Sequence, residues 1–159
     1  MGQIILKKQI PQVMIQHASK TIVAACGCFD IFHIGHLDYL EGAKCLGDFL
    51  IVGINSDESI LKNKGKTPIF QEEQRISVIN ALQCVDYAFI FHEKTFTRSL
   101  NLIKPHIFAR GIDAESKGFP ERTTVDKNNI KIVVVGDYKK SSSRELRSYF
   151  HKEKKEIDE

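Results

Sequence analysis

Five short apolar runs recur along the chain, each separated from the next by a polar or amphipathic segment. The runs are TIVAACGCF at 21–29, FLIVGIN at 49–55, YAFIFH at 87–92, HIFARG at 106–111 and KIVVVG at 131–136. Continuous apolar runs of this length are typical of strands buried on both faces, as in parallel sheets. Because helical segments alternate with them, we expect an α/β fold: a three-layer sandwich around a mainly parallel five-stranded sheet.

Helical spacing is found in the segments between the runs. Apolar residues recur in HLDYLEGAKCLG at 36–47, which ends in a suitable capping glycine, and in QEEQRISVINALQCV at 71–85. TFTRSLNLIK at 95–104 is a third predicted helix, and the serines at 141–143 can cap a last one. By contrast, SDESILKNKGKTPIF at 56–70 is polar, basic and interrupted by glycine and proline, so we expect a mobile loop there.

Length and composition restrict the class of protein. A chain of 159 residues, 42% hydrophobic and 27% charged, has room for one ordinary globular domain. The net charge of +3 is too small to indicate nucleic acid, and no apolar run approaches the length of a membrane span. The first residues lack the apolar segment of a signal peptide, so we expect a cytoplasmic protein with no membrane partner. The four cysteines form no C-x-x-C pair and are expected to be buried thiols rather than zinc ligands.

The chain is expected to divide into three parts. Residues 1–19 form an N-terminal extension, residues 20–150 form the domain that contains the strands, and residues 151–159 form a charged C-terminal tail. In Rossmann-like sheets, ligands bind at the carboxyl ends of the strands, near the point where the strand order switches. The segments at those ends are GCFDIFHIGH at 27–36, NSD at 55–57, RGID at 110–113 and YKKSSS at 138–143.

The first of these segments places two histidines three residues apart at a predicted strand-to-helix turn. A metal is one explanation, but the motif lacks the glutamate of H-E-x-x-H, and no third ligand is evident nearby. A phosphate is another, because Gly35 permits close backbone approach and the start of a helix attracts anions. The remaining alternative is that one histidine caps the helix and the other packs in the core.

GCFDIFHIGH resembles the G-x-F-D-x-x-H-x-G-H signature of the nucleotidyltransferase superfamily with the HxGH motif, in its cytidylyltransferase-like branch. The resemblance extends from about residue 22 to residue 150 and includes NSD, the EQR at 73–75, RGID and SSS. It is closest to the adenylyltransferase domain of bacterial ADP-heptose synthases and more distant from glycerol-3-phosphate cytidylyltransferases. This ordered set of segments is more specific than an HxGH motif alone.

The resemblance implies an enzyme that transfers a nucleoside monophosphate from a nucleoside triphosphate to a sugar or polyol phosphate and releases pyrophosphate. ATP with an aldose 1-phosphate of the heptose type is the expected pair. CTP with glycerol 3-phosphate, or a related polyol phosphate, is one alternative, and a nucleotide-binding module without turnover is another. Mg²⁺ is expected to be held mainly by the triphosphate, with no metal ligands from the protein. Since relatives are often dimers, a homodimer is expected.

The resemblance also assigns roles to residues. It implies that His33, His36 and Lys64 stabilise charge on the phosphates in the transition state. The expected nucleotide-binding residues are Gly27, Cys28, Phe29, Asp30, Gly35, Arg110, Gly111, Asp113, Ser141, Ser142 and Ser143. The expected acceptor-binding residues are Asp30, Asn55, Asp57, Lys62, Glu121 and Arg122. Asp30 and the serines have structural alternatives as turn and cap residues. Arg75 is expected to form an ion pair on its own helix, with a contact to phosphate as the alternative.

Two segments depart from the relatives. Heptose-type adenylyltransferases have Lys-Gly-Gly-Asp-Tyr where this chain has RGIDA at 110–114, and Ser-Thr-Thr where it has three serines. Cytidylyltransferases have an arginine shortly before that triplet, where this chain has Lys139 and Lys140. Lysine does not reproduce the bidentate contacts of arginine, so these departures concern the acceptor-binding surface. The polar segment 114–129 is expected to shape that surface.

Overall fold

The structure is a computed structural model that describes residues 2–112 and 118–136. Its strands are β1 Gln3–Ile4, β2 Ile22–Gly27, β3 Phe49–Asn55, β4 Tyr87–Phe91, β5 Ile107–Gly111 and β6 Lys131–Val135. Over the described residues these strands form one parallel sheet in the order β1-β4-β3-β2-β5-β6. The α/β class and the Rossmann-like three-layer sandwich are therefore confirmed, with six strands where the sequence predicts five.

The sixth strand, β1, lies in the segment predicted to be an N-terminal extension. It pairs with the outer edge of β4 through Gln3 with Tyr87 and Ile4 with Ala88. Both of its side chains are exposed, and two residues are too few to form an apolar run, so the count of five strands is wrong at this edge. A short 3₁₀ helix, Lys7–Gln9, then leads into the first α-helix.

Helices connect the strands and cover both faces of the sheet. In the described part of the chain they are α1 Ile10–Gln16, α2 Ile34–Lys44, α3 Asp57–Lys64, α4 Glu72–Asn80, α5 Thr97–Ile103 and α6 Arg122–Lys127. In the described residues, no helix is both long enough and apolar enough to cross a membrane.

Helix α3 replaces much of the loop predicted at 56–70. The Ser56 side chain caps it by accepting a hydrogen bond from the Ser59 N–H at 3.1 Å. Its first turn contains two acidic residues and its last turn two lysines, which is the charge order that complements the helix dipole. Gly65 ends the helix in the left-handed conformation, at φ 67°. The loop prediction is therefore wrong as far as Lys64, because the polar composition concealed a capped helix.

Alternate residues of the central strands face opposite helix layers, as the two-residue period of a strand requires. Ile22 and Ala24 of β2 belong to a core shared with α1, α5 and α6, whereas Val23 and Ala25 belong to a core shared with α2 and α4. Both cores consist of aliphatic and aromatic side chains that are almost completely buried. The central strands are thus buried on both faces, which explains their continuous apolar sequences.

The chain changes direction across the sheet at β2. From β2 it proceeds through α2 to β3 on one side, while β5, reached later, pairs with the other side of β2. A reversal of this kind opens a cleft at the carboxyl ends of the two diverging strands, where open α/β sheets bind ligands. Helix α2 starts at this cleft.

Candidate active site

The turn that leads from β2 into α2 has an unusual backbone conformation. Phe29 adopts φ 48°, in the left-handed region that residues with side chains rarely occupy, and its ring is almost completely buried. The ring lies against Gly27, where a Cβ atom would approach Phe29 to 3.0 Å. The ring also contacts His36 in an edge-to-face arrangement, with 5.3 Å between centroids. Phe29 therefore connects the strand end to the second histidine of the motif.

His33 and His36 lie together at the start of α2. Their rings stack with 3.9 Å between centroids and an interplanar angle of 25°. His33 is the N-cap, and its Nδ1 accepts a hydrogen bond from the Gly35 N–H at 3.1 Å. A neutral His33 ring therefore has its proton on Nε2, which is the donor atom in that tautomer. The predicted pairing of the two imidazoles is present, and one of them also caps the helix.

The charge at the start of α2 favours an anion. The helix has eleven residues and no acidic residue in its first turn, where a carboxylate would oppose an incoming anion most directly. Two histidines and a glycine occupy this turn. Such a helix start can bind phosphate through its backbone and dipole, and the imidazoles add side-chain donors.

Asp30 holds the segment that follows α3. Its carboxylate Oδ1 accepts hydrogen bonds from the N–H groups of Ile69 and Phe70, at 2.8 and 3.0 Å, and the residue is 9% exposed. Asp30 thus joins the histidine turn to the end of the loop between α3 and α4. Its predicted contacts with nucleotide and acceptor stay predictions.

Arg75 connects four segments beneath the turn. Although it lies on α4, only 2% of the residue is exposed, and its guanidinium donates to the carbonyls of Phe70, Cys28 and Asn55 at 3.0, 2.5 and 2.7 Å. A further hydrogen bond of 2.7 Å joins it to the Asp57 carboxylate. The ion pair expected within its own helix is instead a bridge to the start of α3.

Two predicted acceptor-binding residues have protein partners at the end of β3. The Asn55 amide donates to Ser59 Oγ at 3.1 Å, and its Oδ1 accepts from the Cys28 thiol at 3.6 Å. The Asp57 N–H donates to the Glu72 carboxylate at 2.7 Å. These contacts hold the ends of β2 and β3 and the starts of α3 and α4 in one polar cluster.

The lysines of the predicted phosphate loop lie on α3. Lys64 is the last helical residue and is exposed, and Gly65 follows it. Lys62 is also exposed and pairs with Glu58 one turn earlier, at 2.5 Å. No described contact joins either lysine to the histidine pair, so their roles with phosphate stay predictions.

The carboxyl end of β5 presents an aromatic and cationic cluster. The guanidinium carbons of Arg110 and Arg122 lie 4.3 and 4.9 Å from the centre of the Phe119 ring. Arg110 also donates to the Gly118 carbonyl at 3.0 Å, just before the strand ends at Gly111. The structure therefore brings Arg110 and Arg122 together.

Glu121 has a structural contact within the same part of the chain. Its carboxylate accepts a hydrogen bond from the Phe96 N–H at 3.0 Å, at the start of α5, and the residue is 9% exposed. Burial and then the negative charge of Glu121 raise the pKa of the Cys26 thiol, which therefore stays protonated at neutral pH. The predicted contact of Glu121 with the acceptor stays a prediction.

Three further observations complete the site. A cavity of about 500 Å³ lies between the turn at 29–32 and α4, next to Asp30 and Arg75. Within residues 2–112 and 118–136, no three His, Cys, Asp or Glu side chains come together as a metal site. Asp113, Ser141, Ser142 and Ser143, which the sequence predicts to bind nucleotide, lie outside the described residues, as does the predicted final helix.

The hydrogen bonds that support the site are not predictable from the sequence. Arg75 lies in the EQR segment, but its acceptors are mainly carbonyls of distant residues, which leave no pattern in the sequence. The hydrogen bonds that Asp30 accepts from the N–H groups of residues 69 and 70 likewise leave no pattern in the sequence. The signal that could have indicated a bridging role is the spacing of Arg75, which lies four residues before Ile79 and so shares the apolar face of α4.

Comparison with known proteins relates this geometry to a family. A family profile described as cytidylyltransferase-like matches residues 24–156. The bifunctional protein HldE of Pelobacter propionicus is 41% identical over 117 residues, which are 73% of this chain and 24% of that protein. The HldE of Helicobacter pylori strain Shi470 is 45% identical over 104 residues, which are 65% of this chain and 22% of that protein. The chain thus spans about a quarter of the length of these curated relatives.

A solved structure shares the fold. The crystal structure of the lipopolysaccharide core biosynthesis protein from Thermoplasma volcanium superposes with a TM-score of 0.65 and is 38% identical. The match covers 75% of this chain and 98% of that one. Fold, motif and family profile therefore agree.

Proposed function

Because this chain belongs to the cytidylyltransferase-like family, we propose that it is a nucleotidyltransferase that transfers a nucleoside monophosphate to a sugar or polyol phosphate and releases pyrophosphate. The observation that carries the proposal is the stacked pair His33 and His36 at the start of α2, in the cleft between β2 and β5. Phosphoryl oxygens are the ligands that best match imidazole donors beside a positive helix end.

In the proposed reaction, an oxygen of the acceptor phosphate attacks the α-phosphorus of the nucleotide in line, and pyrophosphate leaves from the opposite side. No protein nucleophile is required, so the protein acts by positioning the substrates and stabilising charge. The His33 and His36 rings donate to phosphate oxygens where negative charge develops. Arg75 and Asp30 hold the turn and the loop in place around them.

Magnesium is proposed to bind together with the nucleotide. Its ligands would be mainly triphosphate oxygens and water, because Mg²⁺ keeps several waters and usually takes few ligands from the protein when a substrate supplies phosphates. Bound in this way, the ion would neutralise charge on the phosphates. The protein contributes the imidazoles, the helix start and, in our proposal, the Lys64 ammonium.

Two substrate pairs are candidates. ATP with an aldose 1-phosphate of the heptose type is supported by the 36–45% identity to HldE proteins over the matched region. CTP is supported by the family description, and glycerol 3-phosphate or a related polyol phosphate is proposed as its acceptor from the sequence resemblance. At residues 110–114 the sequence departs from the heptose-type relatives, so this segment is where the choice between the two substrate pairs is expected to be made. We also propose that the protein forms a homodimer. The mass of the particle in solution, measured by analytical ultracentrifugation, tests this.

The proposal is tested by incubating the protein with each of four nucleoside triphosphates, magnesium and a panel of sugar and polyol phosphates, with pyrophosphate release as the readout. We expect one nucleotide and one class of acceptor to give product. Nucleotide binding without product from any acceptor would instead indicate a binding module.

Removing either imidazole should slow turnover. We expect His33→Ala and His36→Ala each to lower kcat by about 10²- to 10³-fold, the usual effect of losing one donor to a developing charge. The control is His92→Ala, which removes an exposed histidine at the end of β4. If both variants keep the turnover of His92→Ala, the assignment of the phosphate site is wrong.

A further inference from the structure

The central strand pairs unequally with its two neighbours. β2 pairs with β3 along all six of its residues, from Ile22 to Gly27. It pairs with β5 only at Val23 and Ala24, although β5 continues beside β6 as far as Gly111. The separation of β2 from β5 begins within the strands and opens the cleft at the switch point.

This separation removes the sheet partners of backbone groups that face the cleft. Buried N–H and C=O groups without partners are destabilising, so an opening of this kind requires a substitute. The Tyr39 hydroxyl supplies one. It accepts a hydrogen bond from the Cys26 N–H at 3.2 Å and donates one to the Ala109 carbonyl at 2.9 Å. One side-chain group therefore spans the gap between β2 and β5.

Tyr39 belongs to the helix that carries both histidines. It lies three residues after His36 on α2 and is only 8% exposed. Its ring stacks with Phe29 at 6.4 Å between centroids, and Phe29 contacts His36. The group that spans the gap and the groups proposed to bind phosphate are thus parts of one packed unit.

We infer that Tyr39 is a positioning residue whose hydroxyl holds β2 and β5 apart at the width that the nucleotide requires. This inference rests on the proposed function, because a nucleotide in the cleft is part of it. Without the hydroxyl, the two backbone groups must either approach each other and narrow the cleft or remain unsatisfied. If they approach each other, the nucleotide must reopen the gap and leave both groups unsatisfied, so its binding is weaker while the imidazoles are kept.

The test compares Tyr39→Phe with Tyr87→Phe, which removes a hydroxyl at the amino end of β4, away from the cleft. We expect Tyr39→Phe to raise the KM and the Kd for the nucleotide at least about fivefold, the lower bound for an unsatisfied buried group, with kcat within about threefold of wild type. Amide exchange, measured by NMR, should become faster at Cys26 while the amides of β3 keep their rates. Tyr87→Phe should change none of these quantities.

Several results would overturn the inference. An unchanged exchange rate at Cys26 in Tyr39→Phe would show that the hydroxyl does not hold the strand. Faster exchange with an unchanged nucleotide Kd would show that the cleft width is unimportant for binding. Should Tyr39→Phe fail to fold, the wild-type protein still decides, because a rapidly exchanging Cys26 amide there contradicts the bridge. Failure of the proposed function is distinct, since the wild-type protein would then neither bind nucleotide nor release pyrophosphate.

Discussion

At the scale of single residues, the guanidinium of Arg75 has the largest number of distant partners in the described site. It gathers three carbonyls and one carboxylate from the ends of β2 and β3, the start of α3 and the loop before α4. A planar group with several fixed donors suits this task, whereas an ammonium on a flexible stem does not. The geometry of the proposed active site therefore depends on a side chain that is itself buried beneath it.

Replacement of Arg75 should destabilise the protein. We expect Arg75→Met to lower the free energy of unfolding by about 3 kcal/mol or more, because buried carbonyls lose their donor. Arg75→Lys should recover only part of the loss. Urea denaturation measures both, with Arg98→Met as the control, since Arg98 is exposed on α5. Equal midpoints for Arg75→Met and Arg98→Met would contradict the role of Arg75.

At the scale of elements, the N-terminal segment is an integral part of the fold. β1 extends the sheet beside β4, and α1 packs against α5. Ile5, Ile10 and Val13 of this segment belong to the same core as Phe89 and Leu100. The segment also covers the edge of β4, whose backbone groups would otherwise be available to pair with another chain.

The contribution of α1 can be measured with two isoleucines of the same helix. Ile10 is 0% exposed and Ile15 is 77% exposed. We expect Ile10→Ala to lower the free energy of unfolding by about 2–5 kcal/mol, and Ile15→Ala to change it by less than about 0.5 kcal/mol. Chemical denaturation of both variants is the measurement. A small loss in Ile10→Ala would mean that α1 packs only loosely on the sheet.

The central strands were predictable because burial on both faces leaves a continuous apolar run, as in FLIVGIN at 49–55. β1 was not predictable, because backbone pairing alone forms a strand of two exposed residues. α3 had a readable signal, a serine followed by two acidic residues, but its polar composition favoured a loop. Elements formed by core packing are thus easier to predict from the sequence than elements formed by capping or edge pairing.

The same contrast holds for the site. The motif predicted that His33 and His36 lie together at a helix start, since both belong to one short turn. In several cases, the partners of Asp30 and Arg75 are backbone atoms that lie about 40 residues away along the chain. Only folding brings these atoms together. Side-chain identity indicates chemistry, but it does not indicate which backbone groups a side chain serves.

At the scale of the whole molecule, stability should decrease in acid. Hydrogen bonds to Thr21 lower the pKa of Asp48, and the ammonium of Lys62 lowers the pKa of Glu58. Burial alone would raise the pKa of Glu93, but its bond with Lys7 and its backbone bonds outweigh burial and lower it. A carboxyl whose pKa is lowered by folding stabilises the fold above its unfolded pKa, and this contribution is lost as the pH falls through the folded pKa.

Glu93 is the informative member of this set, because its partner Lys7 lies in the N-terminal segment. We expect Glu93→Gln to be less stable than wild type at pH 7, with the difference shrinking as the pH falls below about 4.3, the ordinary pKa of a glutamate. Thermal unfolding across the pH range measures it. Glu73→Gln is the control, because Glu73 is exposed on α4 and the ion pairs among the described residues do not include it. A Glu93→Gln difference that is constant with pH would exclude the ion pair as its source.

The grip on residues 69 and 70 has a mechanical consequence. Asp30 holds the two N–H groups and Arg75 holds the Phe70 carbonyl, while the end of α3 fixes the other side. Only residues 65–68 lie between the two anchors, and a fully extended segment of four residues is at most about 14 Å long. The backbone of Lys66 can therefore move only a short distance from these two anchors. The backbone of Lys64 can move only if the last turn of α3 unwinds.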